Sequence, residues 1–126
     1  MLHQGSCHCG QIAFEVEGDF NEGLDCNCSM CRLTGYMHLI VAAADFRLLS
    51  GAAQLQAYTF NTGVAKHLFC EVCGIKSFYV PRSNPDGFSV NLRCLDPGTV
   101  EQVTVEEFDG HNWERHGAAL AHLSQA

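Results

Sequence analysis

The chain is short of positive charge. Only seven of its 126 residues are Lys or Arg against fourteen Asp and Glu, a formal net charge of −7. A protein that grips a phosphate backbone needs a basic face, so nucleic-acid binding is disfavoured. Long apolar runs are missing as well: no stretch approaches the roughly 18 apolar residues that span a bilayer, and the N-terminus does not read as a charged-then-apolar leader with a small-residue cleavage site. These absences lead to the expectation of a soluble, cytoplasmic protein with no membrane partner. Proline (three) and tryptophan (one) are scarce, and no repeat, low-complexity tract or linker divides the sequence. Residues 1–126 are therefore expected to form one domain with a modest core.

Cysteine is plentiful, with eight residues. A secreted chain would use them as a disulfide scaffold, but cytosolic thiols are kept reduced and clustered ones usually hold metal. Seven fall into three groups: Cys7 and Cys9 in CHCG, Cys26, Cys28 and Cys31 in CNCSMC, and Cys70 and Cys73 in CEVCG. Cys94 stands alone in a strand-like segment and reads as a small buried hydrophobe.

The surrounding pattern is mainly β. Ile12, Phe14 and Val16 alternate with Ala13, Glu15 and Glu17, the period of a half-buried strand that turns at Gly18-Asp19. Further short strands are predicted at His38 to Ala43, Gln54 to Phe60, Ile75 to Val80, Phe88 to Leu92 and Val100 to Phe108, paired antiparallel. Gly and Pro punctuate them, as in Asn84-Pro85-Asp86-Gly87. A helical turn is predicted within Asp45 to Gly51 and a short C-terminal helix over Asn112 to Leu123, which Gly117 weakens.

Local chemistry partitions the cysteines. A glycine, Gly10 or Gly74, follows the second cysteine of each outer group, and permits the positive-φ turn with which a chain wraps a metal. The middle group has Arg32 there. Cys7, Cys9, Cys70 and Cys73 together supply the four thiolates of a closed structural zinc site. Cys26, Cys28 and Cys31 then remain as three ligands with a vacancy, the pattern of a catalytic zinc, whose three thiolates favour a soft fourth ligand such as another thiolate. Alternatives stay open: His38 or Cys94 could close the middle group into a second structural site, or the group could be a metal-free redox cluster or buried thiols.

CHCG, CNCSMCRLTG and FCEVCG, in this order and at these separations, together with NLRCLD and FDGHNWE, resemble the glutathione-dependent formaldehyde-activating enzyme and centromere protein V family, in particular its short bacterial members. The resemblance implies an Mss4-like β-tent of antiparallel sheets organised around zinc, with two zinc ions per chain. It implies structural ligands at Cys7, Cys9, Cys70 and Cys73 and catalytic ones at Cys26, Cys28 and Cys31. The implied activity is a carbon–sulfur lyase reaction that reversibly joins a thiol such as glutathione to formaldehyde or a related small aldehyde. Asn27 departs from the pattern, standing where many relatives carry a histidine. The rival reading is a non-catalytic zinc-stabilised β module that binds a protein.

For proton transfer the candidates are His38, Ser29, Thr34 and Tyr36, with His67 and His8 beside predicted ligands. Arg32, Lys66 and Arg93 are candidate partners for substrate carboxylates. Trp113 is expected to pack the C-terminal helix onto the sheet.

Overall fold

The computed structural model describes residues 1–19, 22–96 and 104–124. Along the chain run β1 (Leu2–Ser6), β2 (Ala13–Glu17), β3 (Glu22–Cys26), α1 (Ser29–Thr34), β4 (Met37–Ala42) and β5 (Phe46–Ser50). There follow β6 (Leu55–Tyr58), β7 (His67–Cys70), β8 (Phe78–Tyr79), β9 (Gly87–Asn91), β10 (Thr104–Phe108) and α2 (Trp113–His116). The strands form three sheets, ordered β1-β2-β5, β10-β3-β4-β9-β8 and β6-β7. Pairing among the described strands is antiparallel except where β10 lies parallel to β3. This is the mainly β architecture that the resemblance implied. No helix among the described residues is long and apolar enough to cross a membrane.

The alternation read in β2 sets the core. Ile12, Phe14 and Val16 are each 0% exposed, and each such side chain contributes about 1.5–3 kcal/mol on burial. They meet Leu39 and Val41 of β4, Phe78 of β8 and Val90 of β9, so the three- and five-stranded sheets share one apolar cluster. Phe46 seats itself in this cluster, 5.7 Å from Phe14, 4.6 Å from Phe78 and 4.7 Å from Phe88 between ring centroids.

Phe46 also explains a correction. The helical turn expected within Asp45 to Gly51 is a strand, β5, preceded by a 3-10 turn at Ala43–Asp45. Driving the aromatic ring inward while Glu15 pairs with Arg47 at 2.7 Å requires an extended chain registered against β2. The C-terminal helix is present but α-helical only over Trp113–His116, after which Gly117–Ser124 tightens into 3-10 turns. That winding presents Leu120 O, Ala121 O and Ser124 Oγ to the buried Asn84 amide, at 2.8, 3.0 and 2.8 Å. The strand predicted over Ile75 to Val80 shrinks to Phe78–Tyr79, and Cys94 ends a 3-10 turn rather than lying in a strand. Of the strand predicted from Val100 to Phe108, residues 100–103 lie outside the described residues. The short strands β1, β3 and β7 carried too little alternation to be read in advance.

Candidate metal centre

Two loops of similar build hold the outer cysteines. Cys7 N donates to Ile12 O at 3.0 Å and Cys70 N to Ile75 O at 3.0 Å, five residues on in both cases. Gly10 and Gly74 close the loops at φ 82° and 78°, a conformation that costs other residues about 1–2 kcal/mol. The glycine argument from sequence thus describes the backbone found. The four ligand atoms of Cys7, Cys9, Cys70 and Cys73 lie within 4.8 Å of one another, with Sγ–Sγ separations of 3.6 Å for Cys7–Cys9 and 3.7 Å for Cys9–Cys70. Zinc–sulfur bonds of about 2.3 Å in a tetrahedron put sulfurs about 3.8 Å apart, so the donor set fits a tetrahedral thiolate-bound ion.

Cys26, Cys28 and Cys31 also bring their sulfurs within 4.8 Å of one another. Cys26 ends β3, Cys28 caps α1 by accepting from Cys31 N at 3.5 Å, and Cys31 lies on the buried side of that helix. Such close thiols cannot ionise independently. Hydrogen bonds from Cys26 and Cys31 hold Cys28 well below the usual thiol range, whereas contacts with Cys26 and Cys28, and then burial, drive Cys31 far above it. A bound cation would remove this conflict by stabilising all three thiolates, so the residues fit a metal here as well.

The two groups differ in what surrounds them. Cys26, Cys28 and Cys31 line a cavity of about 530 Å³, whose walls include His38, Phe60, His67, Tyr79, Arg82 and Trp113. The outer four do not line it. A segment from the C-terminal part forms the roof. Asn27 N donates to Phe108 O and its side-chain amide to Asp109 Oδ1, both at 3.1 Å, while Asn112 donates to Asp109 Oδ2 at 2.8 Å. The hydrogen bonds from Asn112 and Asn27 hold the Asp109 carboxyl below its usual range. Gly110 then passes so close to the cysteines that a Cβ there would lie 2.2 Å from Cys26 Sγ.

His38 stands behind the middle group. Its Nε2 lies 2.9 Å from Cys31 Sγ, while Nδ1 faces the hydroxyls of Ser89 at 2.9 Å and Tyr79 at 3.2 Å. Burial, followed by the nearby Lys76 charge, lowers His38 to about 3, so the ring is neutral. Bound to a metal as thiolate, Cys31 could only accept, which would put the neutral ring's one proton on Nε2 and leave Nδ1 to accept from a hydroxyl. His38 does not join the cluster in which all ligand atoms lie close together, and Cys94 packs instead against the apolar core beside Cys73.

The other sequence candidates scatter. Ser29 lines the cavity, but Thr34 Oγ1 donates to Met30 O at 2.8 Å in its own helix, and Tyr36 OH donates to Ser89 O at 2.7 Å in the interior. His8, Arg32, Lys66 and Arg93 are exposed and line none of the cavity. The cation that does line it is Arg82, 2.6 Å from Glu114 and 3.8 Å above the Trp113 ring. Trp113 packs on its own helix against Gly117, and also forms cavity wall. Nothing local marked Arg82, because the residues that frame it lie about thirty positions away. His67, named beside a predicted ligand, is 6% exposed and lines the cavity.

The chain resembles known proteins over most of its length. Residues 2–113 match the family described as glutathione-dependent formaldehyde-activating enzyme. A Halomonas elongata protein, provisionally named a glutathione-dependent formaldehyde-activating enzyme, is 34% identical over 85 residues, 58% of this chain and 52% of that protein. The chain thus spans about half the length of this curated relative. A crystal structure of a Rhodobacter sphaeroides protein superposes with a TM-score of 0.71 at 37% identity, covering 82% of this chain and 99% of that one. The family match takes in all three cysteine motifs and the FDG turn that roofs the middle group: the chain belongs to the glutathione-dependent formaldehyde-activating enzyme family.

Proposed function

We propose that the protein is a zinc-dependent carbon–sulfur lyase that reversibly joins a thiol, glutathione or a close relative, to formaldehyde or another small aldehyde. The observation that carries this reading is that the three-cysteine group lines a cavity while the four-cysteine group does not. Cys7, Cys9, Cys70 and Cys73 would hold a structural zinc that ties β1 and β2 to the β7 loop, its binding energy contributing to folding. Cys26, Cys28 and Cys31 would hold the second ion, whose chemistry there is to lower the pKa of an incoming thiol and keep it as thiolate.

The chain's own residues supply the rest. The His38 Nε2–H bond fixes the Cys31 sulfur and draws charge from it, which favours acceptance of a further thiolate by the group. Phe60, Tyr79 and Trp113 give the cavity an apolar wall that limits water around the reacting carbonyl. Arg82, half-buried at the rim, is placed to receive a substrate carboxylate in exchange with Glu114.

Cobalt-substituted protein tests the open coordination place. Addition of glutathione should change the thiolate-to-metal absorption, and an unchanged spectrum would favour the non-catalytic binding module. Cys28→Ser should abolish catalysed exchange between glutathione and its formaldehyde adduct, followed by exchange NMR, yet leave the protein folded. Cys73→Ser should unfold it; equal unfolding by both would defeat this division of roles.

A further inference from the structure

Beneath the cavity lies a buried cation with no carboxylate beside it among the described residues. Lys76 is 9% exposed, and its Nζ lies 2.8 Å from His67 Nδ1 and over the rings of Tyr79 and Tyr36, 3.8 and 4.9 Å from their centroids. No ion pair among the described residues engages it. An ammonium can only donate, so His67 Nδ1 accepts. A neutral imidazole holds one proton, and with Nδ1 accepting, that proton is on Nε2.

Among the described residues, His67 Nε2 is buried without a hydrogen-bond partner, and His67 lines the same cavity as Cys26, Cys28 and Cys31. Phe60 and Tyr79 clamp the ring on its two faces, 5.3 and 4.9 Å away and each inclined by 16°. Rotating the imidazole to satisfy Nε2 elsewhere would turn a C–H toward Lys76 and strand a buried charge. The described residues therefore hold a donor in fixed orientation and leave it unsatisfied, at a desolvation penalty that a ligand oxygen would relieve.

We propose that His67 is a catalytic residue whose Nε2–H meets the aldehyde oxygen and protonates it as the thiolate adds, with Lys76 as the positioning residue that sets its tautomer and replaces the proton. The proposal rests on the thiol–aldehyde reading of the cavity given above. In the step, a sulfur lone pair forms the C–S bond and the C=O π pair moves onto oxygen. The Nε2 proton passes to that oxygen as a Lys76 proton moves onto Nδ1. The proton lost by the thiol on binding returns to His67 Nε2 as the Nδ1 proton passes back to Lys76, which restores the Nε2–H tautomer and the ammonium, so thiol plus aldehyde gives adduct with no net proton change. In reverse, Nε2 takes the hydroxyl proton as the C–S bond breaks. Burial lowers Lys76 to about 8, making it a ready donor, while burial and then the Lys76 charge lower His67 to about 4, keeping it neutral at pH 7.

The metal-loaded protein, labelled with 15N at histidine, tests this by NMR. His67 should show a neutral Nε2–H tautomer whose proton resonance moves on addition of glutathione with formaldehyde, and Lys76→Met should let the Nδ1–H tautomer appear. In exchange kinetics, His67→Phe, which keeps the ring clamp, should lower kcat about 100-fold or more with KM within about threefold. If that variant does not fold, His67→Gln carries the same expectation. A resting Nδ1–H tautomer, or turnover that survives both substitutions, overturns the proposal while leaving the lyase reading intact. A wild-type protein with no turnover above the spontaneous rate overturns both.

Discussion

Replacing Gly110 by alanine is a small change placed where the structure has no room for it. Gly110 does not sit at positive φ; space is what it supplies. The added Cβ would lie 2.2 Å from Cys26 Sγ, 3.0 Å from Cys28 Cβ and 3.3 Å from Cys28 N. Contact distances for such atoms are about 3.5–4.0 Å, so Cys26 Sγ and the roof must separate by about 1.5 Å. Metal sites hold their ligand distances to within about 0.2 Å. Either Cys26 turns away from the other two sulfurs, or the Asp109 segment lifts and gives up its hydrogen bonds to Asn27. Because Cys26 must return to its place for a metal to bind, the clash falls on the bound state. Overpacking of this size costs about 1–3 kcal/mol, which corresponds to about 5- to 150-fold weaker binding at the middle group. Competition with a chromophoric zinc chelator should therefore show one ion released more readily from Gly110→Ala than from wild type, the second unchanged, and catalysed exchange reduced in parallel. Two ions held as tightly as in wild type, or both weakened alike, would refute the reasoning.

Asn84→Ala removes the amide that reaches Leu120 O, Ala121 O and Ser124 Oγ. Leaving buried acceptors unpaired should lower stability by about 1–3 kcal/mol in chemical denaturation, and an unchanged midpoint would show the C-terminal turns to be held by other contacts. Stability should also fall as pH drops from about 6.5 toward 4. Burial holds His67 at about 4 and His38 at about 3, so over that range the unfolded chain binds more protons than the folded one and stability rises with pH. His67→Gln should flatten this slope relative to wild type by about 2–3 kcal/mol between pH 7 and 4, measured with zinc present, and an identical slope would mean that His67 titrates normally.

The parts of the molecule legible in advance were those governed by short-range rules. A period of two buried Ile12, Phe14 and Val16, because in a strand alternate side chains share a face whatever the partner sheet is. Gly10 and Gly74 marked their loops, because positive φ is a property of a single residue. β5 was misread because FRLLS is short and its one decisive side chain, Phe46, acts through contacts with rings from three other strands.

By itself, then, the sequence determined the β character, the grouping of the cysteines and the family, since spacing along the chain and backbone freedom at glycine are local quantities. Only the tertiary structure decided that one cysteine group lines a cavity and the other does not, that Arg82 rather than Arg32, Lys66 or Arg93 enters it, and that His67 and Lys76 meet below it. Those relations depend on side chains from separate strands converging. Packing of sheet against sheet sets that convergence, and no spacing within a single motif encodes it.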